Sequence, residues 1–598
     1  MNRSSFHLVL SLALLTWLMP RAVQSQDTSP AEAAFAQAYF RHTHEHDAAG
    51  AIAGYEKVAA DAGAPEALRA EARSRLAGLK EDQAAADFAH LMPPKVMGYA
   101  ELVDPGEHIG RVLAMMGLVG DATKTDKPSG PAIPLGEGLS LPADFAVSPA
   151  LATELKKLRG AAAAVTSLVS HGRPGGLLVI HPGDCDLVRG AIETAVQLLP
   201  QGEPVEGFKT YQLRDIGWVA LTRRLVLLSD TREEIVAAVG RLANPQAECL
   251  ASRADFKRAR ADAAGALMFA FIDGRQVSEF LGPRLKREAP PLVALLDLDH
   301  LESIAVSLST TENAIQVRAR MNLMEGHRNV AYALIRTAPM TKRSLSQVPK
   351  GAAGVVVLGL NPPGPAAAPA PGEKPLPPSL MDIGRELFGN IDEIAVFALP
   401  AAKPAKSAGG LPEIGVALAV KDPAKSEALW NQILSLVTLF GPRTTAPPSD
   451  VTIEGAAGHL YHLQKMPPIA VVRSGENGLA IGTEAAVAAS IRAARTGQSI
   501  ATDPAFAGLL GQLTPTTSKA VLVDAGRALQ LAGSLSKGRQ AEELDALAQI
   551  LKDLKVSVVT DEAPNQLTIR ADVTGLPKFR ELAPLFQKGS RRGVTAAK

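Results

Sequence analysis

Apolar and polar side chains alternate along many short segments of the chain after residue 90. Residues 315–319 and residues 567–571 both show this alternation, which is typical of strands with one buried face. Each of these segments follows another apolar segment after a short turn, so each predicts a hairpin. Because many adjacent hairpins are mixed with long helical segments, the pattern predicts an α+β fold with antiparallel sheets.

Residues 26–88 predict a helical segment before these hairpins. Apolar residues recur there at the spacing of one helix face: Ala31, Ala34, Phe35, Ala38 and Tyr39. Residues 50–58 resemble the second helix of a tetratricopeptide repeat, with a small residue followed four positions later by an aromatic one. Since one repeat cannot bury its own apolar face, we expect this helical hairpin to dock on the rest of the chain or on a protein partner.

The remaining chain predicts two copies of one design, at residues 89–335 and 336–588. The same order of strands and helices recurs in both. A short apolar strand leads to Thr231 in the first copy and to Thr483 in the second, and acidic residues follow each threonine. Both threonines are good helix caps with acids near the positive helix end.

The clearest match between the copies pairs residues 268–275 with residues 521–527. Asp273 and Asp524 end the matching strands. Two carboxylates suggest acid–base chemistry, but capping of the helices that follow is the simpler interpretation.

This pattern resembles uncharacterised exported bacterial proteins that carry a duplicated α+β domain of unknown function. The residues that carry the resemblance are the strand–cap–helix blocks at 228–240 and 481–494, together with the segments around Phe256 and Phe506. The resemblance covers most of residues 91–588. It implies a tandem fold after the helical segment and supplies neither an activity nor catalytic residues.

Two segments have too little apolar composition to pack. Residues 361–379 are rich in proline and alanine and predict a loop inside the second copy. Such a loop is either an insertion without a role or a segment that docks a partner. Residues 589–598 predict a basic, frayed tail.

The first 25 residues predict a secretory signal peptide. Arg3 provides the positive start, a short apolar run follows, and small residues prepare a cut after Ser25. A signal anchor or a helix of the folded protein is the alternative, but the run is shorter than the about 20 residues that a membrane span needs. We expect an exported, periplasmic or extracellular protein without a transmembrane span.

Composition excludes several functions. The 598 residues include 62 Lys and Arg against 61 Asp and Glu, so no basic surface for nucleic acid is expected. Aromatic residues make up 4% of the chain, which disfavours stacking platforms for bases. The 2 cysteines, Cys185 and Cys249, form either a disulfide in the exported protein or two separately buried thiols.

Motifs for phosphate loops, dinucleotide folds, nucleophile elbows and zinc helices are absent from the sequence, and no cofactor is expected. The best local constellation is His181, Asp184 and Cys185, where a thiol at a helix start lies near a histidine. Such a thiol can be activated as a nucleophile. The same residues also provide what a turn and a helix cap need after a strand.

His42, His44 and His46 form the most metal-like cluster of the sequence. Histidines at positions i and i+4 of a helix can share a metal ion. The alternative is a solvated helix end in which Asp47 caps the next helix.

Taken together, these patterns predict an exported, non-catalytic protein that binds or scaffolds a protein or another envelope partner. Two alternatives remain. One is an enzyme of unrecognised type with a site near His181, Asp184 and Cys185. The other is binding of a small ligand or a lipid in an apolar cleft between the two copies.

Overall fold

The computed structural model describes residues 29–45, 47–115, 132–136, 139–142, 148–168, 174–213, 217–244, 246–311, 313–360, 389–400, 412–422, 424–426, 428, 447–462, 467–536, 538–578 and 581. The signal peptide 1–25, the proline-rich loop 361–379 and the tail 589–598 lie outside these residues and stay predictions. The chain divides into two compact units. The first contains residues 1–93 and 201–251, and the second contains residues 94–200 and 252–598.

Helices fill the first part of the first unit: α1 (Pro30–Phe40), α2 (Ala48–Ala60) and α3 (Glu66–Ala85), with a π-helical turn at Arg41–Glu45. Ser29 caps α1 in a capping box with Glu32. Asp47 caps α2, because its Oδ1 accepts a hydrogen bond of 2.9 Å from Gly50 N. The capping interpretation of Asp47 is therefore confirmed. Alanine and leucine side chains from all three helices pack around the buried ring of Tyr55.

A three-stranded meander completes the first unit: β6 (Lys209–Leu213), β7 (Gly217–Leu221) and β8 (Val226–Ser229), followed by α7 (Arg232–Ala243). The buried Glu81 of α3 ties the turn between β7 and β8 to the helices. Its carboxylate accepts from the Thr222 hydroxyl and from Arg224 N. These bonds explain why residues 201–251, which lie inside the first copy predicted from sequence, belong to the unit with the N-terminal helices.

The second unit contains one long antiparallel sheet and a separate two-stranded ladder. The ladder pairs β2 (Ala132–Gly136) with β3 (Leu139–Pro142). The strands of the long sheet are β1 (Gly98–Val103), β4 (Gly160–Leu168), β5 (Pro174–His181), β9 (Met268–Asp273), β10 (Leu301–Thr310), β11 (Ala314–Leu323), β12 (Gly354–Gly359), β13 (Ile391–Leu399), β14 (Glu413–Val420), β15 (Ser449–Ile453), β16 (Ala456–Tyr461), β17 (Ile469–Arg473), β18 (Gly478–Gly482), β19 (Thr517–Asp524), β20 (Lys555–Ala563) and β21 (Gln566–Thr574).

Neighbouring strands in this sheet follow the order β5-β4-β1-β9-β10-β11-β21-β20-β19-β12-β13-β14-β18-β17-β16-β15 within the described residues. Every pairing is antiparallel, so the expected α+β class with antiparallel sheets is confirmed. The order also reads alike outward from the pairing of β11 with β21. Either side gives a hairpin, then a strand that ends in a capping aspartate, and then at least three further strands.

The helices of the second unit are α4 (Pro105–Met115), α5 (Pro149–Leu155), α6 (Asp186–Gln197), α8 (Ala254–Ala261), α9 (Gly274–Glu288), α10 (Pro290–Leu296), α11 (Val330–Ile335), α12 (Glu484–Thr496), α13 (Pro504–Leu510), α14 (Ala525–Leu535) and α15 (Arg539–Ile550). Thr231 and Thr483 cap α7 and α12 through their side chains, as the sequence predicts. Among the helices that the structure describes, none has both the length and the apolar character that crossing a bilayer requires.

Two buried ion pairs fix short helices to the sheet. Arg253 precedes α8, and its Nη1 lies 2.5 Å from Oδ2 of Asp273 at the end of β9. In the matching block, Asp503 caps α13, and its Oδ2 lies 2.6 Å from Nη1 of Arg527 in α14. The residue before the short helix is thus the cation in one block and the anion in the other. Phe256 and Phe506 are fully buried, and the Arg527 guanidinium lies 5.8 Å from the centroid of the Phe506 ring.

Burial by itself would raise the pKa of Asp503. The hydrogen bond from Arg527 and those from the amides of Ala505 and Gly351 outweigh it, so the pKa lies below the ordinary value. A depressed pKa adds stability above the pKa of the unfolded state, and that stability is lost as the pH falls.

We expect Arg527→Met to destabilise the second unit by about 3 kcal/mol at pH 7, because it leaves a buried carboxylate without its cation. Urea unfolding followed by circular dichroism measures this change. The loss should shrink as the pH falls, since a protonated Asp503 needs no cation.

The control is Arg539→Met, which removes an exposed pair with Glu543 and should cost no more than about 0.5 kcal/mol. Equal destabilisation by the two substitutions would contradict the importance given to the buried pair.

Candidate functional site

The pairing of β11 with β21 lies in the middle of the long sheet. Arg318 lies directly opposite Arg570 in this ladder. These two arginines are also the matching residues of the two alternating segments in the sequence. The neighbouring pairs obey the same rule, because Val317 lies opposite Ala571 and Ile569 lies opposite Ala319. The pairing of these positions is therefore symmetric about Arg318 and Arg570.

One face of this central ladder is polar. Arg318 donates to the carbonyl oxygen of Asp262 over 3.0 Å, and Arg570 donates to the carbonyl oxygen of Gln512 over 2.9 Å. Asp262 ends α8, and Gln512 lies just beyond α13. Each arginine thus holds the short helix of its own side against the sheet. Like charges directly across a ladder repel, and these hydrogen bonds direct the two guanidinium groups toward separate acceptors.

Asp572 lies on the same polar face and is buried. Burial raises the pKa of its carboxyl group, although a hydrogen bond from Gln316 and the charges of Arg570 and Arg318 act in the opposite direction. The carboxylate therefore retains a desolvation cost that its neighbours do not fully offset.

The opposite face of the sheet is apolar. Residues that lie directly opposite one another from strand to strand form an unbroken series, which we call the aliphatic row: Ile180, Ala161, Leu102, Met268, Leu308, Val317, Ala571, Val558, Val521, Val356, Val396, Val416 and Ile481. None of these side chains is fully buried, and the row contains no aromatic ring and no charge.

Two described helices contact the apolar face beside the row. At one end of the central hairpins, Ile304, Met321 and Leu567 pack near Tyr332 of α11. Toward the other end, His108 of α4 makes a 2.7 Å hydrogen bond to the Thr310 hydroxyl. Four members of the row, Leu102, Val317, Val356 and Val396, are 37–39% exposed, and the other nine are half-buried. Val317 in the row and its counterpart Ile569 in the adjacent row are each 38% exposed.

The histidines of the predicted metal cluster make separate contacts. The ring of His42 lies edge-on to Tyr55, and that of His44 stacks on Phe40 with 4.9 Å between ring centroids. His46 lies outside the described residues, so the three-histidine site stays a prediction. Within the described part of the chain, no group of three or more His, Cys, Asp or Glu side chains is arranged to hold a metal ion.

The constellation at His181 forms a turn. His181 Nδ1 accepts from Gly183 N over 3.0 Å, and Gly183 has a left-handed φ of 63°. Cys185 is fully buried and occupies the cap position of α6 without a side-chain hydrogen bond. The turn interpretation is confirmed. The expected side-chain cap of α6 is wrong, because Cys185 occupies its cap position and makes no side-chain hydrogen bond there.

Sequence reasoning missed a different thiol contact. Cys249 Sγ lies 3.5 Å from His90 Nδ1, and His90 Nε2 lies 3.3 Å from the carbonyl oxygen of Arg241. Since His90 and Cys249 are 159 positions apart, no local motif could have connected them. Both Cys185 and Cys249 are free thiols in the structure, which is the second of the two alternatives stated for them.

The paired carboxylates act as caps. Asp273 Oδ1 accepts from the amides of Arg275 and Gln276, and Asp524 Oδ1 accepts from the amide of Arg527. The simpler interpretation of these aspartates is therefore confirmed.

Comparisons with known proteins give only distant structural neighbours. No family model and no curated protein matches the chain. Three crystal forms of TP0453 match with 9%, 11% and 10% sequence identity and TM-scores of 0.23, 0.24 and 0.24. They cover 41%, 42% and 40% of this chain, and 84%, 85% and 82% of TP0453. Similarity at this level assigns neither a fold nor a function.

We expect Asp572→Asn to stabilise the second unit by about 1 kcal/mol at pH 7, because the amide keeps the shape without a charge to desolvate. A carboxyl group whose pKa is raised by folding contributes its full stability below the unfolded pKa and loses it as the pH rises. The advantage of the amide should therefore vanish as the pH is lowered.

Urea midpoints measured between pH 3 and pH 8 test this expectation. Asp545→Asn, at an exposed position of α15, is the control and should change the midpoint little at any pH. A constant difference between Asp572→Asn and the wild type over this range would show that charge desolvation is not the cause.

Proposed function

We propose that the protein is an exported, non-catalytic binding protein that takes up lipid acyl chains on the aliphatic row. The observation that carries this proposal is an unbroken apolar row across the long sheet, in which Leu102, Val317, Val356 and Val396 are exposed and the other nine side chains are half-buried. Apolar surface exposed to water costs about 25 cal/mol per Å², so a ligand that covers it gains binding energy. Contiguous exposed apolar patches mark interaction sites far more often than scattered single residues do.

The chemistry of the row favours an acyl chain over a folded protein. Protein interfaces derive most of their energy from aromatic and arginine anchors, and the aliphatic row has neither. Its side chains also offer no hydrogen-bonding group that would orient a polar ligand. A hydrocarbon chain needs only apolar contact along an extended path, which a row running across many strands provides.

The enzyme alternative receives little support. Cys185 is fully buried, and His181 is used by its own turn. The predicted nucleophile is therefore inaccessible to a substrate.

A tandem duplication, with copies at residues 89–335 and 336–588, is part of the proposal. Its support is the strand order that repeats on both sides of the β11–β21 pairing and the opposition of Arg318 and Arg570. Two glutamate–glycine turns support it further. Glu206 and Gly207 have positive φ values of 45° and 85°, and Glu454 and Gly455 have 50° and 72°, as a type I′ hairpin turn requires.

We also propose that residues 1–25 are a signal peptide cut after Ser25, which sends the protein to the periplasm or outside the cell. The support is the charged start, the short apolar run and the small residues before the cut.

A tetratricopeptide-like role for α1–α3 in binding a protein partner is a second proposal. Its support is the pair of exposed aromatic side chains on α1, Tyr39 and Phe40.

The acyl-chain proposal predicts that Val317→Glu weakens binding of a fluorescent palmitate analogue about tenfold or more, because it places a carboxylate in the aliphatic row. Fluorescence titration of the full mature chain measures the dissociation constant. Val317→Ile keeps the row apolar and should bind as the wild type does.

Leu198→Glu is the second control, since Leu198 is an exposed apolar residue outside the row. Val317 is partly exposed, so the glutamate should be tolerated, and thermal unfolding checks this. Absence of palmitate binding by the wild type, or equal loss with Leu198→Glu, would refute the proposal.

A further inference from the structure

A cavity of about 510 Å³ lies on the polar side of the long sheet, on the face opposite the aliphatic row. It is bounded by α8, by the start of β10, by the end of β11 and by the turn that joins β20 to β21. Residues from both halves of the sheet therefore line it. Its size is that of a site for a small organic molecule.

Two arginines line this cavity, Arg258 from α8 and Arg320 from β11. Arg320 pairs with Asp262, and Arg258 Nη2 lies 3.0 Å from Oε1 of Glu302. A guanidinium group has five N–H donors, so neither arginine is saturated by its one carboxylate. The buried Nε of Arg320 has no hydrogen-bond partner among the residues that the structure describes.

The lining also contains two carboxylates, Asp255 and Glu302, which pair with Arg253 and Arg258. Neutral polar side chains line the wall next to Arg320 and are held in place by each other. Asn322 Nδ2 donates to Ser303 Oγ over 3.0 Å, and Gln566 Nε2 donates to Asn322 Oδ1 over 2.9 Å. This chain of hydrogen bonds crosses from β10 through β11 to β21. It fixes the wall next to Arg320, so the cavity is preorganised on that side.

The matching positions in the other half of the sheet carry no arginine. Two residues after Phe256 stands Arg258, whereas two residues after Phe506 stands Gly508. Two residues after Arg318 stands Arg320, whereas two residues after Arg570 stands Asp572. The arginine pair is therefore specific to this cavity, and packing of the repeated design does not require it.

We propose that this cavity binds the oxyanion of a small polar molecule, either a phosphate or a carboxylate, between Arg320 and Arg258. Arg320 provides a charge-assisted hydrogen bond to such an anion from the guanidinium group that already pairs with Asp262. Arg258, on the exposed side, closes over the bound group. The aliphatic row lies on the other face of the sheet, so this site is independent of acyl-chain binding.

Isothermal titration of the full mature chain with glycerol 3-phosphate and, separately, with succinate tests the proposal and distinguishes the two anion classes. Binding of either one, weakened by rising salt, is expected. Absence of heat from both ligands at millimolar concentration would overturn it.

Arginine variants locate the site. Arg320→Met and Arg258→Met should each weaken binding about tenfold or more, the effect of losing charge-assisted hydrogen bonds. Arg258 is largely exposed, so its variant tests the site even where Arg320→Met disturbs the fold.

Arg284→Met removes another exposed arginine, on α9, and should leave affinity unchanged. Val317→Glu should also bind the anion normally, which separates failure of this proposal from failure of acyl-chain binding. Unchanged affinity in both Arg320→Met and Arg258→Met would place any observed binding elsewhere and refute the site.

Discussion

The ladder between β11 and β21 is the interaction on which the rest of the second unit depends. This ladder pairs residues 314–322 of β11 with β21. It joins two groups of strands that lie far apart in the sequence. Because side chains alternate with a period of two, its register decides whether the polar faces of the two halves lie on the same side of the sheet. A shift by one residue would turn one half over relative to the other, so that Arg318 and Arg570 would lie on opposite faces of the sheet.

The same register separates two environments with opposite chemistry. On one side, Arg318 and Arg570 reach the ends of α8 and α13, and the large aromatic side chains are buried beneath these helices. On the other side, aliphatic side chains meet solvent. One sheet thus serves as the core wall of the unit and as an open surface, and a ligand on one face makes no contact with the other.

Local features of the fold follow well from the sequence. The hairpins formed by β10 with β11 and by β20 with β21, and the caps at Thr231, Thr483, Asp273 and Asp524, depend on residues close together in the chain. The pairing of β11 with β21 does not, because alternation identifies a strand without identifying its neighbour. Alternation also leaves open which face is covered, and here the arginine-bearing face is packed while Val317 and Ile569 are exposed. Glu81, Cys249 and His90 likewise acquire their partners only through the folded chain.

The opposition of Arg318 and Arg570 has a consequence for assembly. A strand whose neighbour is its own counterpart has an edge that is complementary to itself, which is the defining property of an isologous interface between identical subunits. Under the proposed duplication, each half of this sheet carries the edge of a symmetric homodimer, and the covalent connection between the halves converts that contact between molecules into an internal one. Tethering makes the pairing independent of protein concentration. It also frees the two halves to differ, as the reversed ion pairs Arg253–Asp273 and Asp503–Arg527 already do.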